Sequence, residues 1–295
     1  MSAFHGVLTA LVTPLNTDGS VDEAAFRALV RRQLNAGVHG LVPCGTTGES
    51  PTLSADEQLT VIRATLDEVD GRVPVLAGIG SNDTAKAIAA GRKAFDAGAT
   101  GVLATAPYYN KPTQEGLFLH FSAIAKALDV EVCVYDVPGR TAVKVAPETL
   151  SRLFAAHDNI TCVKDATGDL VNAADNRRLC GPDLKMLSGD DFTLLPFWAL
   201  GGDGCISVLS NLMPGRVVKL YDDIMAQRMD TARADFIALI PLVRALFVES
   251  NPVPVKAAMA ELGLCGAGVR LPLAPLSESG HATLLAAMAA SGEVS

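Results

Sequence analysis

Short apolar stretches bounded by Gly, Pro or polar residues recur along the chain, at intervals of roughly 20 to 35 residues. Their residues are almost continuously hydrophobic, which is typical of strands in a parallel sheet that is covered on both faces. The sequence contains eight such stretches, at residues 6–12, 38–44, 73–79, 101–105, 130–137, 160–164, 184–187 and 205–209. We therefore expect eight parallel strands.

Helical patterns separate these stretches. Asp22 can cap the first helix, and Ser54 with Glu57 forms a capping box at the start of the second. A further helix is predicted over residues 84–97, and Pro147 suits the first turn of another. The alternation of eight strands with helices predicts an α/β fold, a closed (β/α)8 TIM barrel in preference to an open doubly wound sheet.

The strand pattern stops after Asn211, and the apolar positions that follow have helical spacing. We interpret residues 1–214 as the barrel that carries the active site, and residues 215–295 as a helical C-terminal extension packed on it. No Ser/Gly-rich linker separates the two parts, so we do not expect a second independent domain.

Composition and charge exclude several classes of function. Hydrophobic residues make up 49% and charged residues 19% of the 295 residues, which is ample for a large buried core. No apolar run approaches the roughly 20 residues of a membrane span, and the N-terminus lacks a secretory pattern, so we expect a cytoplasmic protein. The net charge of −8 forms no basic stripe, which argues against a nucleic-acid partner.

The cysteine and histidine patterns predict neither a structural nor a catalytic metal site. The six cysteines contain no C-x-x-C pair, and the five histidines contain no H-x-x-x-H pattern. Four of the cysteines lie in strand-like stretches, which favours reduced cysteines that pack in the core.

The functional groups of such a barrel lie at the carboxyl ends of its strands. In this chain those ends combine hydroxyl groups with one lysine and one arginine, and they contain no histidine. The candidates are Thr46, Thr47, Tyr109, Tyr135, Arg140, Lys164 and Gly189.

Lys164 is the candidate nucleophile, because it closes an apolar stretch at the barrel mouth. Desolvation there would favour the free amine, which attacks ketones; the alternative is a lysine that simply reaches solvent. Tyr109 and Tyr135 could relay protons in the absence of histidine, or could be packed aromatics with satisfied hydroxyls. Arg140 offers a planar fork for a carboxylate, or forms an ion pair within its loop.

Three loops could be mistaken for phosphate or metal sites. The loop at residues 45–48 lacks P-loop spacing and suits a small carboxylate better. The glycine-rich residues 201–204 precede the eighth strand, at the opposite end of the barrel, where we expect helix termination. Asp190 and Asp191 resemble a metal-binding pair, but we expect them to cap a helix.

Taken together, these motifs resemble the dihydrodipicolinate synthase family, within the superfamily of pyruvate-dependent class I aldolases that includes N-acetylneuraminate lyase. The resemblance runs from Leu11-Val12-Thr13-Pro14 to Asn251-Pro252-Val253-Pro254-Val255-Lys256. The blocks G-T-T-G-E-S, P-Y-Y-N, Y-D-V-P-G-R-T, K-D-A-T-G, L-S-G-D-D and G-G-D-G-C-I-S-V occur in the family's order. A single block would be weak evidence, whereas the ordered set is specific.

The resemblance implies a Schiff-base lyase that condenses pyruvate with aspartate 4-semialdehyde in lysine biosynthesis. Lys164 would form an imine with pyruvate, and Tyr135 would shuttle protons. Thr47 would link Tyr135 to Tyr109, which in the family comes from the neighbouring subunit of a tight dimer. The implied assembly is a homotetramer, a dimer of such dimers, that needs no cofactor.

The same resemblance assigns the substrate contacts. Thr46 and Thr47 would hold the pyruvate carboxylate, with help from the backbone near Gly189 and Ile206. Arg140 would engage the carboxylate of aspartate semialdehyde.

Two positions depart from the family pattern and leave alternatives open. The residue after the strand tyrosine is Asp136 where the family usually has Asn, and the residue after the lysine is Asp165 where it usually has Glu. The identity of the second substrate is therefore open, and the chain could be an aldolase or dehydratase that acts on another 2-keto acid or keto-sugar acid. A non-catalytic paralogue that binds a keto acid is a further alternative, although it would not need Lys164 and both tyrosines.

The resemblance also bears on regulation by lysine. In lysine-sensitive members the inhibitor lies at the dimer interface, beside histidines, a glutamate, an asparagine and the first tyrosine of P-Y-Y-N. Asn82 and Tyr108 match this set, but Ala55 and Gln58 occupy the histidine positions and Lys86 the glutamate position. We expect weak or absent feedback inhibition.

Overall fold

The computed structural model describes residues 2–292 and contains a barrel of eight parallel strands. The strands are β1 (Gly6–Ala10), β2 (Gly40–Val42), β3 (Leu76–Gly78), β4 (Gly101–Thr105), β5 (Glu131–Asp136), β6 (Ile160–Asp165), β7 (Lys185–Ser188) and β8 (Gly204–Ser207). All eight coincide with the predicted apolar stretches, which extend one to three residues beyond some of them. The predicted TIM barrel is confirmed.

The ends of the sheet meet, so that the barrel closes. The ladder runs β2-β1-β8-β7-β6-β5-β4-β3, and a parallel bridge from Leu41 to Val75 joins the two edge strands. Two backbone bonds support this junction: the Gly78 amide donates to the Pro43 carbonyl at 2.9 Å, and the Leu41 amide donates to Pro74 at 3.1 Å. Closure removes the exposed edges of an open sheet.

Among the described residues, eight α-helices lie along the barrel part of the chain and four follow the last strand. The first eight are α1 (Glu23–Asn35), α2 (Ala55–Val69), α3 (Thr84–Ala97), α4 (Gln114–Ala127), α5 (Pro138–Thr141), α6 (Pro147–Ala156), α7 (Leu170–Cys180) and α8 (Leu194–Ala199). The last four are α9 (Pro214–Met225), α10 (Met229–Leu246), α11 (Val253–Glu261) and α12 (Glu278–Ser291). None of the helices within residues 2–292 is long and apolar enough to cross a membrane.

The local helix signals act as predicted. The Asp22 carboxylate accepts the Ala25 amide at the start of α1, and the capping box of Ser54 and Glu57 starts α2. The helix α3 spans the predicted residues and ends at Gly98, whose φ of 104° is in the region that glycine tolerates. These caps satisfy amide groups that the first turn of a helix leaves without partners.

The expected role of Asp190 and Asp191 is wrong. The helix α8 starts only at Leu194, and the Asp190 carboxylate accepts the Thr193 hydroxyl at 2.8 Å. The Asp191 carboxylate instead accepts the Val208 and Leu209 amides, both at 2.9 Å, in the turn after β8. Asp191 thus joins two neighbouring loops, which the sequence could not indicate because the two loops are distant in the chain.

Side chains alternate between two cores, as the pleat of a strand requires. Cys133, Tyr135, Cys162 and Leu187 belong to the cluster inside the barrel, together with Phe4 and residues of the other strands. The intervening residues of the same strands pack outward against the helices. The alternation of side chains along β5 and β6 therefore decides which of their polar residues face the barrel interior.

The division into a barrel of residues 1–214 and an extension of residues 215–295 stays a prediction. The helix α9 begins at Pro214, and α10 packs on α9 and α12. Met1 and residues 293–295, which the predicted units include, lie outside the described residues.

Candidate active site

Lys164 and Tyr135 occupy paired positions on β6 and β5. Cys162 and Cys133, each two residues earlier, face the barrel interior, so the alternation of side chains turns Lys164 and Tyr135 inward as well. Both residues are buried, with 6% of Lys164 and 4% of Tyr135 exposed. The predicted nucleophile is therefore enclosed at the mouth of the barrel, and the alternative of a lysine that reaches solvent is wrong.

The Lys164 amine lies against an aromatic face. Its Nζ is 4.3 Å from the centre of the Tyr135 ring. Gly189, which directly follows β7, also lies close to the lysine: a Cβ at Gly189 would lie 2.8 Å from Lys164 Cε and 2.7 Å from Ala166 Cβ. A residue with a side chain would therefore displace the lysine stem, which explains a glycine at this position.

The loop that follows β2 carries Thr46 and Thr47 in a tight turn. The Gly48 amide donates to the Gly45 carbonyl, and the Glu49 amide donates to the Thr46 carbonyl, both at 3.1 Å. The Thr13 hydroxyl, from the loop after β1, donates to the Gly48 carbonyl at 2.8 Å. Thr47 is 3% exposed, so its hydroxyl is held inside the protein.

The chain beyond the barrel completes this loop. The fully buried Lys256 of α11 forms an ion pair with Glu49 at 2.7 Å and donates to the Thr13 carbonyl at 2.9 Å. The amide of Asn251, just before α11, donates to the Thr47 hydroxyl oxygen at 3.0 Å. A buried ion pair that lost one partner would leave an uncompensated charge, so Lys256 and Glu49 depend on each other.

Arg140 lies at an opening into the barrel. It belongs to the short helix α5 directly after β5, its side chain is exposed, and its guanidinium donates to the Asn251 carbonyl at 3.1 Å. A cavity of about 220 Å³ is lined by Arg140 and Thr46 together with Thr105, Tyr108 and Val137. None of the described residues that line this cavity is acidic, so the arginine remains available to an anionic ligand.

The structure does not bring Tyr109 to the other candidates within the chain. Its side chain is 89% exposed, and its backbone has a φ of 70°, which is unusual for a residue with a Cβ. The neighbouring Tyr108 reaches the cavity wall, whereas Tyr109 does not. Ile206, on β8, is buried in the interior cluster and pairs with Leu8 of β1.

Two carboxyl groups follow the reactive pair. Asp136 and Asp165 are also paired across β5 and β6. The Asp165 carboxylate accepts hydrogen bonds from Thr167 and from the Asn172 amide, at 2.6 and 2.9 Å. Asp136 accepts the Val145 amide at 3.1 Å, and burial raises its pKa to about 7, with a further contribution from the Asp165 charge. The two groups face away from the interior, since they alternate with Tyr135 and Lys164.

The cysteines do not compete with Lys164 as nucleophiles. Burial raises the pKa of the Cys44 thiol to about 12, although Cys44 borders the cavity. The thiols of Cys162 and Cys205 are likewise buried, and their pKa values lie well above the ordinary range. A thiol reacts as its thiolate, so these groups are inert at neutral pH. Within residues 2–292, no group of three or more His, Cys, Asp or Glu side chains could hold a metal ion.

Three residues at the site were not predicted from the sequence. Asn251 and Lys256 belong to the Asn-Pro-Val-Pro-Val-Lys block, and Glu49 ends the G-T-T-G-E motif, but no local pattern links the two blocks. The only available signal was a lysine within an otherwise apolar helical stretch, which indicates a buried partner.

The whole chain can be compared with proteins of known identity. The Dihydrodipicolinate synthetase family matches residues 3–291. The 4-hydroxy-tetrahydrodipicolinate synthase of Pelobacter propionicus is 49% identical over 289 residues, which cover 98% of this chain and 99% of that relative. The dihydrodipicolinate synthase structure of Thermotoga maritima gives a TM-score of 0.97 at 41% identity. The superposition covers 99% of this chain and 100% of the Thermotoga maritima chain.

A second solved structure shows the enzyme of Cyanidioschyzon merolae with lysine bound. It gives a TM-score of 0.96 at 37% identity, with 99% of this chain and 100% of that chain covered. Fold, sequence and the buried lysine at the end of β6 agree with the resemblance seen in the motifs. The chain belongs to the dihydrodipicolinate synthetase family.

Proposed function

We propose that this chain is a Schiff-base lyase that condenses pyruvate with aspartate 4-semialdehyde to give 4-hydroxy-tetrahydrodipicolinate, as its curated relatives are named. The observation that carries the proposal is the buried Lys164 amine. It lies 4.3 Å from the centre of the Tyr135 ring, at the carboxyl ends of the paired strands β5 and β6. No other described lysine combines burial with a position at the carboxyl end of a barrel strand.

Lys164 supplies the covalent chemistry. Its free amine attacks the ketone carbon of pyruvate, and loss of one water leaves an imine. The imine draws electrons from the adjacent methyl group, so that loss of a methyl proton gives an enamine. The enamine carbon attacks the aldehyde of the second substrate, and the amine of that substrate then displaces Lys164 and closes the ring. Each turnover releases one water.

Tyr135 moves the protons in these steps. A phenol can both donate and accept a proton, and the Tyr135 ring already contacts the amine that reacts. Thr47 connects Tyr135 to Tyr109 of the neighbouring subunit in a tight dimer, itself half of a homotetramer. The exposure of Tyr109 and its unusual backbone conformation support this role, because a side chain that projects into solvent is accessible to a second chain.

The substrates are held by groups around the cavity. Thr46 and Thr47 bind the carboxylate of pyruvate, with the backbone near Gly189 and Ile206. Arg140 binds the carboxylate of aspartate semialdehyde, since it is the cation that lines the cavity. The volume of about 220 Å³ suits small organic acids of this kind.

The reaction requires neither a metal nor an organic cofactor, because the imine on Lys164 is itself the electron sink. All six cysteines are free thiols in the structure. This includes Cys133 and Cys162, which occupy neighbouring positions on β5 and β6 but form no disulfide bond. Free thiols are typical of proteins in a reducing compartment, which supports a cytoplasmic location.

Reductive trapping tests this proposal. Borohydride added with pyruvate should attach a reduced pyruvyl group to the peptide that contains Lys164, as mapped by mass spectrometry. Lys164→Ala should abolish the label, whereas Lys126→Ala, which removes an exposed lysine of α4, should leave it unchanged. Label that persists at another lysine in Lys164→Ala would contradict the proposed nucleophile.

Substrate competition tests the second half of the reaction. Turnover of pyruvate with aspartate semialdehyde is compared with cleavage of keto-sugar acids by the same preparation. Faster cleavage of a keto-sugar acid would assign the chain to another aldolase of the superfamily. Imine formation without turnover of any aldehyde would identify a keto-acid-binding protein.

A further inference from the structure

Asn251 connects two parts of the candidate site from outside the barrel. It lies between α10 and α11 and is 5% exposed. Its side-chain amide donates to the Thr47 hydroxyl oxygen at 3.0 Å, and its backbone carbonyl accepts the Arg140 guanidinium at 3.1 Å. One residue therefore contacts a group proposed to act on pyruvate and a group proposed to bind the second substrate.

The direction of the bond to Thr47 has a chemical consequence. A side-chain amide nitrogen only donates hydrogen bonds, so the Thr47 oxygen is the acceptor. The hydrogen of the Thr47 hydroxyl must then point to a different acceptor. We propose that Asn251 is a positioning residue, which holds Thr47 as a hydrogen-bond donor toward Tyr135 and the pyruvate adduct. This inference rests on the proposed function.

The surroundings of Asn251 hold it in place. Its backbone is tied to Arg140, and α11, which begins two residues later, is anchored to the loop of Thr47 by the buried pair of Lys256 and Glu49. Its own Oδ1 is buried and has no hydrogen-bond partner within residues 2–292. The hydrogen bond to Thr47 is therefore the one that holds the Asn251 side-chain amide, and a substitution of Asn251 acts first on Thr47.

The direction of the hydrogen bond between Asn251 and Thr47 can be reversed by a substitution that hardly changes the shape of the side chain. In Asn251→Asp a carboxylate replaces the amide, and it can only accept a hydrogen bond. The Thr47 hydroxyl would then donate to that carboxylate and be lost to the relay. At lower pH the carboxyl group is protonated and regains a donor. A defect caused by polarity therefore diminishes as the pH falls.

Exchange of the pyruvate methyl hydrogens for deuterium measures this relay without the second substrate or Arg140. Proton NMR follows the exchange in heavy water, which requires the Lys164 imine and proton transfer. We expect Asn251→Asp to slow exchange about 100-fold at pH 8, and Asn251→Ala, which leaves Thr47 free to rotate, about tenfold. The Asn251→Asp defect should shrink severalfold when the pH is lowered to about 6, relative to the parent protein at each pH.

A double substitution decides whether Asn251 acts through Thr47. In a Thr47→Val background the hydroxyl is absent, so neither change at Asn251 should slow exchange further. An additive loss in that background, or a defect of equal size at every pH, would overturn the proposal and leave Asn251 a structural role. Should Asn251→Asp fail to fold, the same cycle with Asn251→Ala decides the question.

The parent protein separates this inference from the proposed function. Absence of pyruvate trapping at Lys164 in the parent would refute the proposed function itself. Normal trapping and exchange in the parent, with unchanged exchange in both Asn251 variants, would refute only the role of Asn251.

Discussion

Lys164 and Tyr135 are direct neighbours across β6 and β5, and the lysine Nζ lies 4.3 Å from the centre of the tyrosine ring. Their pairing is set by the register of two parallel strands, so it does not depend on a flexible loop. Groups that react together are held more precisely on strands than on loops.

Gly189→Ala should impair imine formation. The added methyl group would lie 2.8 Å from Lys164 Cε, so the lysine stem must move away from its place beside Tyr135. We expect a loss of at least about 100-fold in the rate of pyruvate trapping, since a displacement of about 1 Å can cost this much. Gly215→Ala is the matched control, because a Cβ there meets no atom within 4 Å. Equal rates in both variants would show that the lysine tolerates the methyl group.

Arg140→Ala should raise the KM for aspartate semialdehyde while pyruvate trapping persists. A lost charge-assisted fork costs about 1.5 to 3 kcal/mol, which corresponds to roughly 10- to 150-fold. Steady-state kinetics with each substrate varied in turn measures the effect. Arg152→Ala, which removes an exposed arginine paired with Glu115, should leave both KM values unchanged. An unaltered aldehyde KM in Arg140→Ala would instead favour a structural contact with Asn251.

Tyr109 should act in a neighbouring subunit. Tyr109→Phe and Lys164→Ala chains are each expected to be inactive, but a mixed dimer contains one site with both Lys164 and a Tyr109 from the other chain. Mixing under conditions of subunit exchange should therefore restore part of the activity. Native mass spectrometry verifies that mixed dimers form. Mixed dimers without activity would place Tyr109 in its own subunit's site or outside the mechanism.

Asp136→Asn should stabilise the protein above neutral pH. Burial raises the pKa of Asp136 from 3.8 to about 7, so between these values the folded state keeps a proton that the unfolded chain releases. The free energy of unfolding therefore falls as the pH rises through this range. A shift of this size corresponds to roughly 4 kcal/mol, which the variant should regain at pH 8.

Urea unfolding of the parent and the variant at several pH values measures this difference. Asp96→Asn, at an exposed position of α3, provides the control and should follow the parent. A parent and an Asp136→Asn variant with parallel pH dependence would mean that Asp136 is ionised in the folded protein across the whole range.

Lysine should inhibit weakly or not at all. The cleft beside Ala55 and Gln58 has a volume of about 510 Å³; within residues 2–292 its charged lining residues are Lys86 and Lys93, and none is acidic. Two ammonium groups repel the ammonium of a lysine ligand. Glu57 cannot substitute for an acidic lining residue, because the Arg270 guanidinium holds its carboxylate and lowers its pKa to about 2.

Calorimetry and activity at millimolar lysine test this expectation. Lys86→Glu removes one repulsion and adds an attraction, so it should strengthen lysine binding by at least about tenfold. Lys126→Glu changes the net charge equally at a position away from the cleft and should have no effect. Tight, saturable binding of lysine by the parent protein would contradict the prediction.

The sequence by itself determined the architecture and indicated Lys164 as the candidate nucleophile. Eight continuous apolar stretches, with caps such as Asp22 and Ser54, specify strands and helices because these signals act over a few residues. A lysine at the end of such a stretch can only lie at the mouth of a barrel. The ordered motifs are specific to the family and do not depend on any tertiary contact.

Only the tertiary structure decided how the site is supported. Thr47 and Asn251 are separated by 204 positions, and Glu49 and Lys256 by 207, so no local pattern relates them. The contact of Gly189 with Lys164 depends on the register of β6 and β7, and the role of Asp191 depends on two loops that meet when the barrel closes. These relationships arise from long-range packing, which fixes the partner of a buried polar group only when the whole barrel has formed.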